Sequence, residues 1–202
     1  THVDIHLHYA LVSTLEVTDH VSRTSVKVIN DTGLTDIHDI CVASFADAFI
    51  DQSRFDPLHH AETEQELYNL IPGALRTLRA GGELTLEINF KNKRYQARIF
   101  SEPLLEKLKA HYENIYREVA GTAVPLISDR LHGLPGFSGQ LGNAIALDEQ
   151  AVFQGCNTNL MNIRTACTSL SFITRLPASK SPTVNSDTGT SHQIDRMAPV
   201  AA

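Results

Sequence analysis

The chain has 202 residues, of which 42% are hydrophobic and 20% charged, with a formal net charge of -6 and a pI near 5.9. That is enough apolar chain for one large domain, or two small ones, around a packed core. An acidic surface repels phosphate backbones, which sets nucleic acid aside as a partner, and no apolar run approaches the roughly 20 residues that span a bilayer.

In chain order, Val3, Ile5, Leu7, Tyr9 and Leu11 alternate with Asp4, His6 and His8, which predicts one strand over 3–17. Thr18-Asp19-His20 gives a turn, and a second alternating run at 21–29 completes an antiparallel hairpin. Residues 35–52 switch to helical spacing, with Ile37, Cys41, Phe45 and Phe49 on one face and Asp36 and Asp39 suited to the N-terminal end. A helical stretch over about 60–80 is expected to split at Pro72 and to close at Gly81-Gly82. Leu84, Leu86, Ile88 and Phe90 alternate, Lys91-Asn92-Lys93 turns, and Tyr95, Ala97 and Ile99 alternate again, which is a second hairpin. Ser101 is the expected N-cap of a long helix with Pro103 in its first turn, burying Leu104, Leu108, Tyr112, Ile115 and Val119. A short strand at 123–127, a glycine-rich stretch from Gly133 to Gly142, a helix from about Asp148 and a last strand at 168–176 follow. Residues 177–202 are rich in Ser, Thr, Pro and Asp and read as a polar linker or tail. Val3 already stands in a strand pattern, so further chain is expected before Thr1. Cys41, Cys156 and Cys167 are odd in number and lack paired spacing, which fits reduced thiols in a cytoplasmic setting.

Asp4-Ile-His6-Leu-His8 is the first chemical signal. Two imidazoles on one strand face hold a divalent ion in metal-dependent hydrolases, with other strands supplying the remaining ligands and an activated water. Such sites belong to parallel β/α barrels, whereas here the strand leads into a hairpin. The plain alternative is a pair of half-exposed histidines with ordinary hydrogen bonds. Asp36, His38 and Asp39 read as a helix N-terminal turn. Ser138, in Gly136-Phe137-Ser138-Gly139, lacks the spacing of a nucleophile elbow.

The order of elements resembles the second lobe of the actin-like ATPases, closest to the heat-shock chaperone branch, over roughly residues 3–160. Residues 3–17 stand where that family has its second phosphate motif, an Asp followed by glycines, a Thr and a strand ending in Leu-Glu. Asp4 takes the place of the magnesium-associated Asp, and Leu15-Glu16 matches the strand end. Phe55-Asp56-Pro57-Leu58 resembles the lead into the nucleotide-facing helix, and 124–135 (VPLISDRLHGLP) resembles the adenosine motif. Asp148-Glu149 resembles the start of the closing helix. The resemblance implies an α/β fold with α+β character: an actin-like or ribonuclease H-like lobe, with a mixed sheet opened by a β-hairpin and flanking helices. It also implies a small inserted helix-plus-hairpin subdomain over about 55–100 within a lobe of 1–176.

The departures carry as much as the matches. Glycine lets a backbone curl around phosphate, but the glycine positions here are His6, Leu7 and His8, the Thr position is Tyr9, and the adenosine-motif glycines are Ser128 and Asp129. Losing three backbone hydrogen bonds at about 0.5–1.5 kcal/mol each weakens phosphate affinity by about tenfold to a thousandfold. The resemblance therefore implies a lobe with eroded nucleotide motifs, a binding or scaffold role without efficient ATP hydrolysis, and no cofactor of its own, with ATP and magnesium reserved for a full-length parent. Asp4, His6, His8, Tyr9, Ser128, Asp129 and Arg130 are the residues expected to line the old cleft, none as a catalyst or metal ligand. The expected partner is a first lobe of the same chain or another protein. Three other readings stay open: an active ATPase lacking its first lobe, a metal-dependent hydrolase using His6 and His8, and a structural domain with no ligand.

Overall fold

A computed structural model describes residues 1–122, 124–164 and 173–178. Its centre is an open, mixed six-stranded sheet in the order β7-β6-β1-β2-β3-β8. These strands are β1 His2–Ile5, β2 Tyr9–Val17, β3 His20–Asn30, β6 Leu126–Ser128, β7 Ile145–Leu147 and β8 Arg175–Pro177. The β1, β2 and β3 strands are successively antiparallel, while β6 runs parallel to β1 and β7 parallel to β6. The carboxyl ends of β1, β6 and β7 therefore lie together, the place where open α/β sheets keep their ligand crevice. The fold is thus mixed α/β, with helices flanking a mixed sheet.

One sheet face carries Val3, Ile5, Ala10, Val12 and Ile127, all nearly or fully buried. Against it pack α1 (Leu34–Ser53) and α3 (Ser101–Val119), whose apolar stripes bury Ile37, Cys41, Phe45 and Phe49, and Leu104, Leu108, Tyr112 and Ile115. Burial pushes the Cys41 thiol up to about 12, as befits a small apolar filler.

The expected single strand over 3–17 is corrected. The chain reverses between Ile5 and Tyr9, so His6, Leu7 and His8 form the turn of a β1–β2 hairpin. The alternating pattern runs through the turn because long-range bonds hold it. The Leu34 amide donates to the His6 carbonyl at 2.9 Å, and the Thr35 amide and hydroxyl donate to the Leu7 carbonyl at 2.9 and 2.8 Å. Gly33 permits the approach, since a Cβ there would stand 2.3 Å from the Leu7 carbonyl oxygen.

Between α1 and α3 lie α2 (Ala61–Leu78) and a ribbon of β4 (Glu83–Phe90) and β5 (Lys93–Phe100). The expected break at Pro72 does not occur, because α2 runs through it. Pro72 sits on the exposed side, away from the buried stripe Leu67, Ile71, Ala74, Leu75 and Leu78, where the helix can best tolerate the hydrogen bond that a proline forfeits. Gly81 and Gly82 turn the chain with φ of 83° and 94°, and Lys91 and Asn92, both at positive φ, form the two-residue hairpin turn. Phe100, not Ser101, occupies the cap of α3; the Ser101 amide instead extends the ribbon by donating to the Gly82 carbonyl at 2.9 Å.

The strand expected at 123–127 lies at Leu126–Ser128 and leads directly into the short α4 (Asp129–His132). Asp148 caps α5 (Glu149–Thr158), accepting from the Ala151 amide at 2.6 Å, and α6 (Leu160–Ile163) follows. Of the strand expected at 168–176, residues 168–172 lie outside the described residues, as do Cys167 and residues 179–202 of the expected tail. Among the described residues, no helix is long and apolar enough to cross a membrane.

Candidate functional site

Four of the seven residues expected to line a cleft come together from two places in the chain. Asp4 stands on β1 with its side chain on the face opposite Val3 and Ile5, and Ser128, Asp129 and Arg130 stand where β6 becomes α4. Because β1 and β6 are parallel neighbours, these positions meet at one end of the sheet. Asp4, Ser128, Asp129 and Arg130 line one groove with His2, Asp148, Glu149 and Val152.

Asp4 is the best-held group in it. Its side chain is 17% exposed, and Oδ2 accepts from Arg130 Nη2 at 2.6 Å while Oδ1 accepts from the Ile5 amide at 2.8 Å. Burial raises its pKa, but the Ser128 hydroxyl and the Arg130 guanidinium, with the Ile5 amide, outweigh that and hold the carboxyl below the usual range. Asp4, Asp129, Asp148 and Glu149 set four carboxylates against the single guanidinium of Arg130. An incoming phosphate meets net negative charge, and the cation best able to receive it is already paired.

The other three candidates are placed differently. His6 stacks on Tyr9 with ring centroids 4.9 Å apart and brings Nε2 to 3.7 Å from Asp4 Oδ2, at the rim of the groove. His8 turns away, its Nδ1 lying 3.3 Å from the Thr35 hydroxyl at the start of α1. The two imidazoles share neither a strand face nor a common target, and no group of three or more His, Cys, Asp or Glu among the described residues is arranged to hold a metal ion. The N-terminus of α1 is not open to an anion either. The Leu34 and Thr35 amides bond the turn, Gly33 N–H donates to Asp36 Oδ2 at 2.8 Å, and Ile37 N–H donates to the Gly33 carbonyl.

His2 and the pair Asp148-Glu149 are lining residues that the site reading of the sequence missed. For Asp148-Glu149 a signal exists, since a capping Asp directly after a short apolar strand starts a helix at the sheet end. For His2 there is none beyond its place in the strand.

A second constellation joins distant segments. Arg79, at the end of α2, puts Nη2 2.6 Å from His132 Nε2, and His132 Nδ1 lies 3.0 Å from the Ser138 hydroxyl. A guanidinium only donates, so Nε2 accepts and the ring proton sits on Nδ1, pointing at Ser138. That tautomer cannot take a proton from Ser138, and the trio carries no nucleophilic chemistry.

Comparison with known proteins finds no family model that matches the chain and no curated protein that resembles it.

Proposed function

We propose that this domain is the nucleotide-side lobe of an actin-like, heat-shock-chaperone-like protein whose phosphate motifs have been rebuilt into a self-satisfied surface, and that it acts by binding protein partners without turning over ATP. The order β7-β6-β1-β2-β3, with β6 and β7 parallel to β1 and the first three strands antiparallel, supports the lobe reading. The observation that carries the loss of turnover is the fate of the phosphate-facing groups. The His6 amide, at the first of the former glycine positions, is bound to the Tyr9 carbonyl at 2.8 Å, and the Asp at the magnesium position is bound to Arg130. Binding nucleotide there requires breaking a charge-assisted hydrogen bond beside a half-buried carboxylate and bringing phosphate into an acidic groove, with no glycine to let the backbone yield. Its partner is a first lobe on the same chain or a separate protein, in a cytoplasmic setting.

Calorimetric titration of magnesium and ATP, with a phosphate-release assay run beside it, tests the reading. The expected result is no saturable heat and no turnover at up to about 1 mM nucleotide, the upper end of what is left when an ordinary micromolar site loses about three backbone hydrogen bonds. Micromolar binding with turnover overturns it.

A further inference from the structure

Two side chains compete for one oxygen of the groove. Asp4 Oδ2 accepts from Arg130 Nη2 at 2.6 Å, and His6 Nε2 stands 3.7 Å from the same atom. A neutral imidazole at that distance makes no hydrogen bond, so of the two rivals Arg130 alone holds Oδ2. The other oxygen, Oδ1, accepts from the Ile5 amide at 2.8 Å. The rivals are anchored unequally. The His6 ring stacks on Tyr9 with centroids 4.9 Å apart, its amide donates to the Tyr9 carbonyl at 2.8 Å, and its carbonyl accepts from the Leu34 amide at 2.9 Å. Arg130 reaches Asp4 from the single turn of α4, and its side chain is 54% exposed.

We propose that His6 is a proton-operated switch for Arg130: the imidazolium takes over Asp4 Oδ2, and the guanidinium swings out of the groove. An imidazole ordinarily gains its proton between about pH 8 and pH 5. Protonation makes both ring nitrogens donors and adds a charge, so Nε2 closes to about 2.8 Å from the carboxylate while the ring stays on Tyr9. Two cations on one oxygen repel, and the longer, more exposed side chain leaves for water at little cost. Asp4 stays ionised meanwhile. Burial raises its pKa, but the Ser128 hydroxyl, Arg130 and the Ile5 amide hold it below the usual range, and the imidazolium replaces what Arg130 gave. The surroundings leave His6 this one target. It meets Asp4 from β1, the Tyr9 ring from β2 and Arg130 from α4, and Asp36 of α1 is engaged with the Gly33 amide. Asp129, Asp148 and Glu149 line the groove, but among the described residues Asp4 is the carboxylate within ion-pair distance of His6. His2 also faces Asp4, and burial, only partly offset by that carboxylate, holds its pKa below the usual value. The groove therefore shows a partner a paired guanidinium near neutral pH and a free one in acid, whose fork fits a carboxylate of that partner. This use rests on the partner-binding reading above; the exchange itself does not.

Carbon-detected NMR of the arginine side chains reads the exchange on the protein alone, with neither nucleotide nor partner present. Rotation about the Arg130 Nε–Cζ bond is slow while a carboxylate holds the guanidinium and fast once it is free. From about pH 7.5 to about pH 5.5 it is expected to accelerate by about tenfold or more, the worth of one charge-assisted hydrogen bond. Its midpoint is expected to coincide with that of the His6 ring signals. His6→Phe keeps a ring on Tyr9 but takes up no proton, and is expected to hold Arg130 slow at both pH values. His2→Gln is expected to leave the acceleration as it is in the unaltered protein. Unchanged rotation across the range, equal acceleration in His6→Phe, or an Arg130 midpoint that follows His2 instead of His6 overturns the proposal. The comparison of midpoints needs no variant, so it decides the matter should His6→Phe misfold. Nucleotide binding at neutral pH would end the function proposed above and leave this exchange standing.

Discussion

The two faces of the central sheet are built to different standards. On the α1–α3 face, Val3, Ile5, Phe45, Leu108 and Tyr112 are at most 1% exposed and interlock as one core. On the groove side, α5 buries none of its residues, and Val152 and Phe153 remain 57% and 60% exposed. Stability is concentrated where the sequence is apolar and periodic. The charged residues that distinguish this domain stand where little packing constrains them, so a cleft can change its chemistry there without loss of the fold.

The largest test of that contrast is a pair of truncations. Phe45→Ala is expected to cost about 3–5 kcal/mol, the range for a buried aromatic, whereas Phe153→Ala stays within about 0.5 kcal/mol, as surface changes do. Urea denaturation measures both, and similar losses would break the comparison.

Next comes a pair of glycines. Gly33→Ala drives a methyl group into the backbone of Leu7 and His8 and is expected to cost about 3 kcal/mol, the upper end for overpacking. That lowers Tm by about 6–12 °C in a domain of this size. Gly73→Ala, on the exposed side of α2 with nothing within 4 Å, is expected to stabilise by about 0.5–1 kcal/mol through helix propensity.

A smaller effect concerns the groove. Arg130 is 54% exposed, so solvent screening limits its pairing with Asp4, and Arg130→Met is expected to cost about 1 kcal/mol. The pH dependence has a definite sign. The Asp4 carboxyl lies lower in the folded than in the unfolded protein, so its contribution is complete above the unfolded value near pH 4 and is lost as pH falls through the folded value. Burial likewise lowers the pKa of His38 and His111, so the unfolded chain takes up their protons more readily and stability also declines as pH drops through about 6.5. Unfolding free energy followed from pH 7 to pH 3 is expected to show both declines, and Asp4→Asn to flatten the lower one alone.

The smallest change is Tyr112→Phe. The Tyr112 hydroxyl is buried in the α3 core without a hydrogen-bond partner among the described residues, so its removal is expected to leave stability unchanged or raise it by up to about 1 kcal/mol in the same urea assay.

The helices α1 and α3 and the ribbon 83–100 were legible in the sequence because each buries one face, and burial writes a period of 3.6 or 2 into the residues. The β1–β2 turn was not. Nothing local in His6-Leu7-His8 demands a reversal; Leu34 and Thr35, some 28 residues on, hold it, and Gly33 makes room. The continuous α2 was missed for a related reason, since whether a proline breaks a helix depends on which side of the helix it falls. At the candidate site, the residues were named but their alliances were hidden. The Asp4–Arg130 pair spans 126 residues, and His8, one turn residue from Tyr9, points to α1 instead of the groove.

Backbone amide NMR during titration with magnesium and ATP tests the central claim most directly. If the turn and the Asp4–Arg130 pair have closed the nucleotide cleft, the amide signals of Asp4, Leu7, His8, Ser128 and Asp129 stay in place as nucleotide is added. Saturable, concentration-dependent shifts clustered on those five amides would contradict the account.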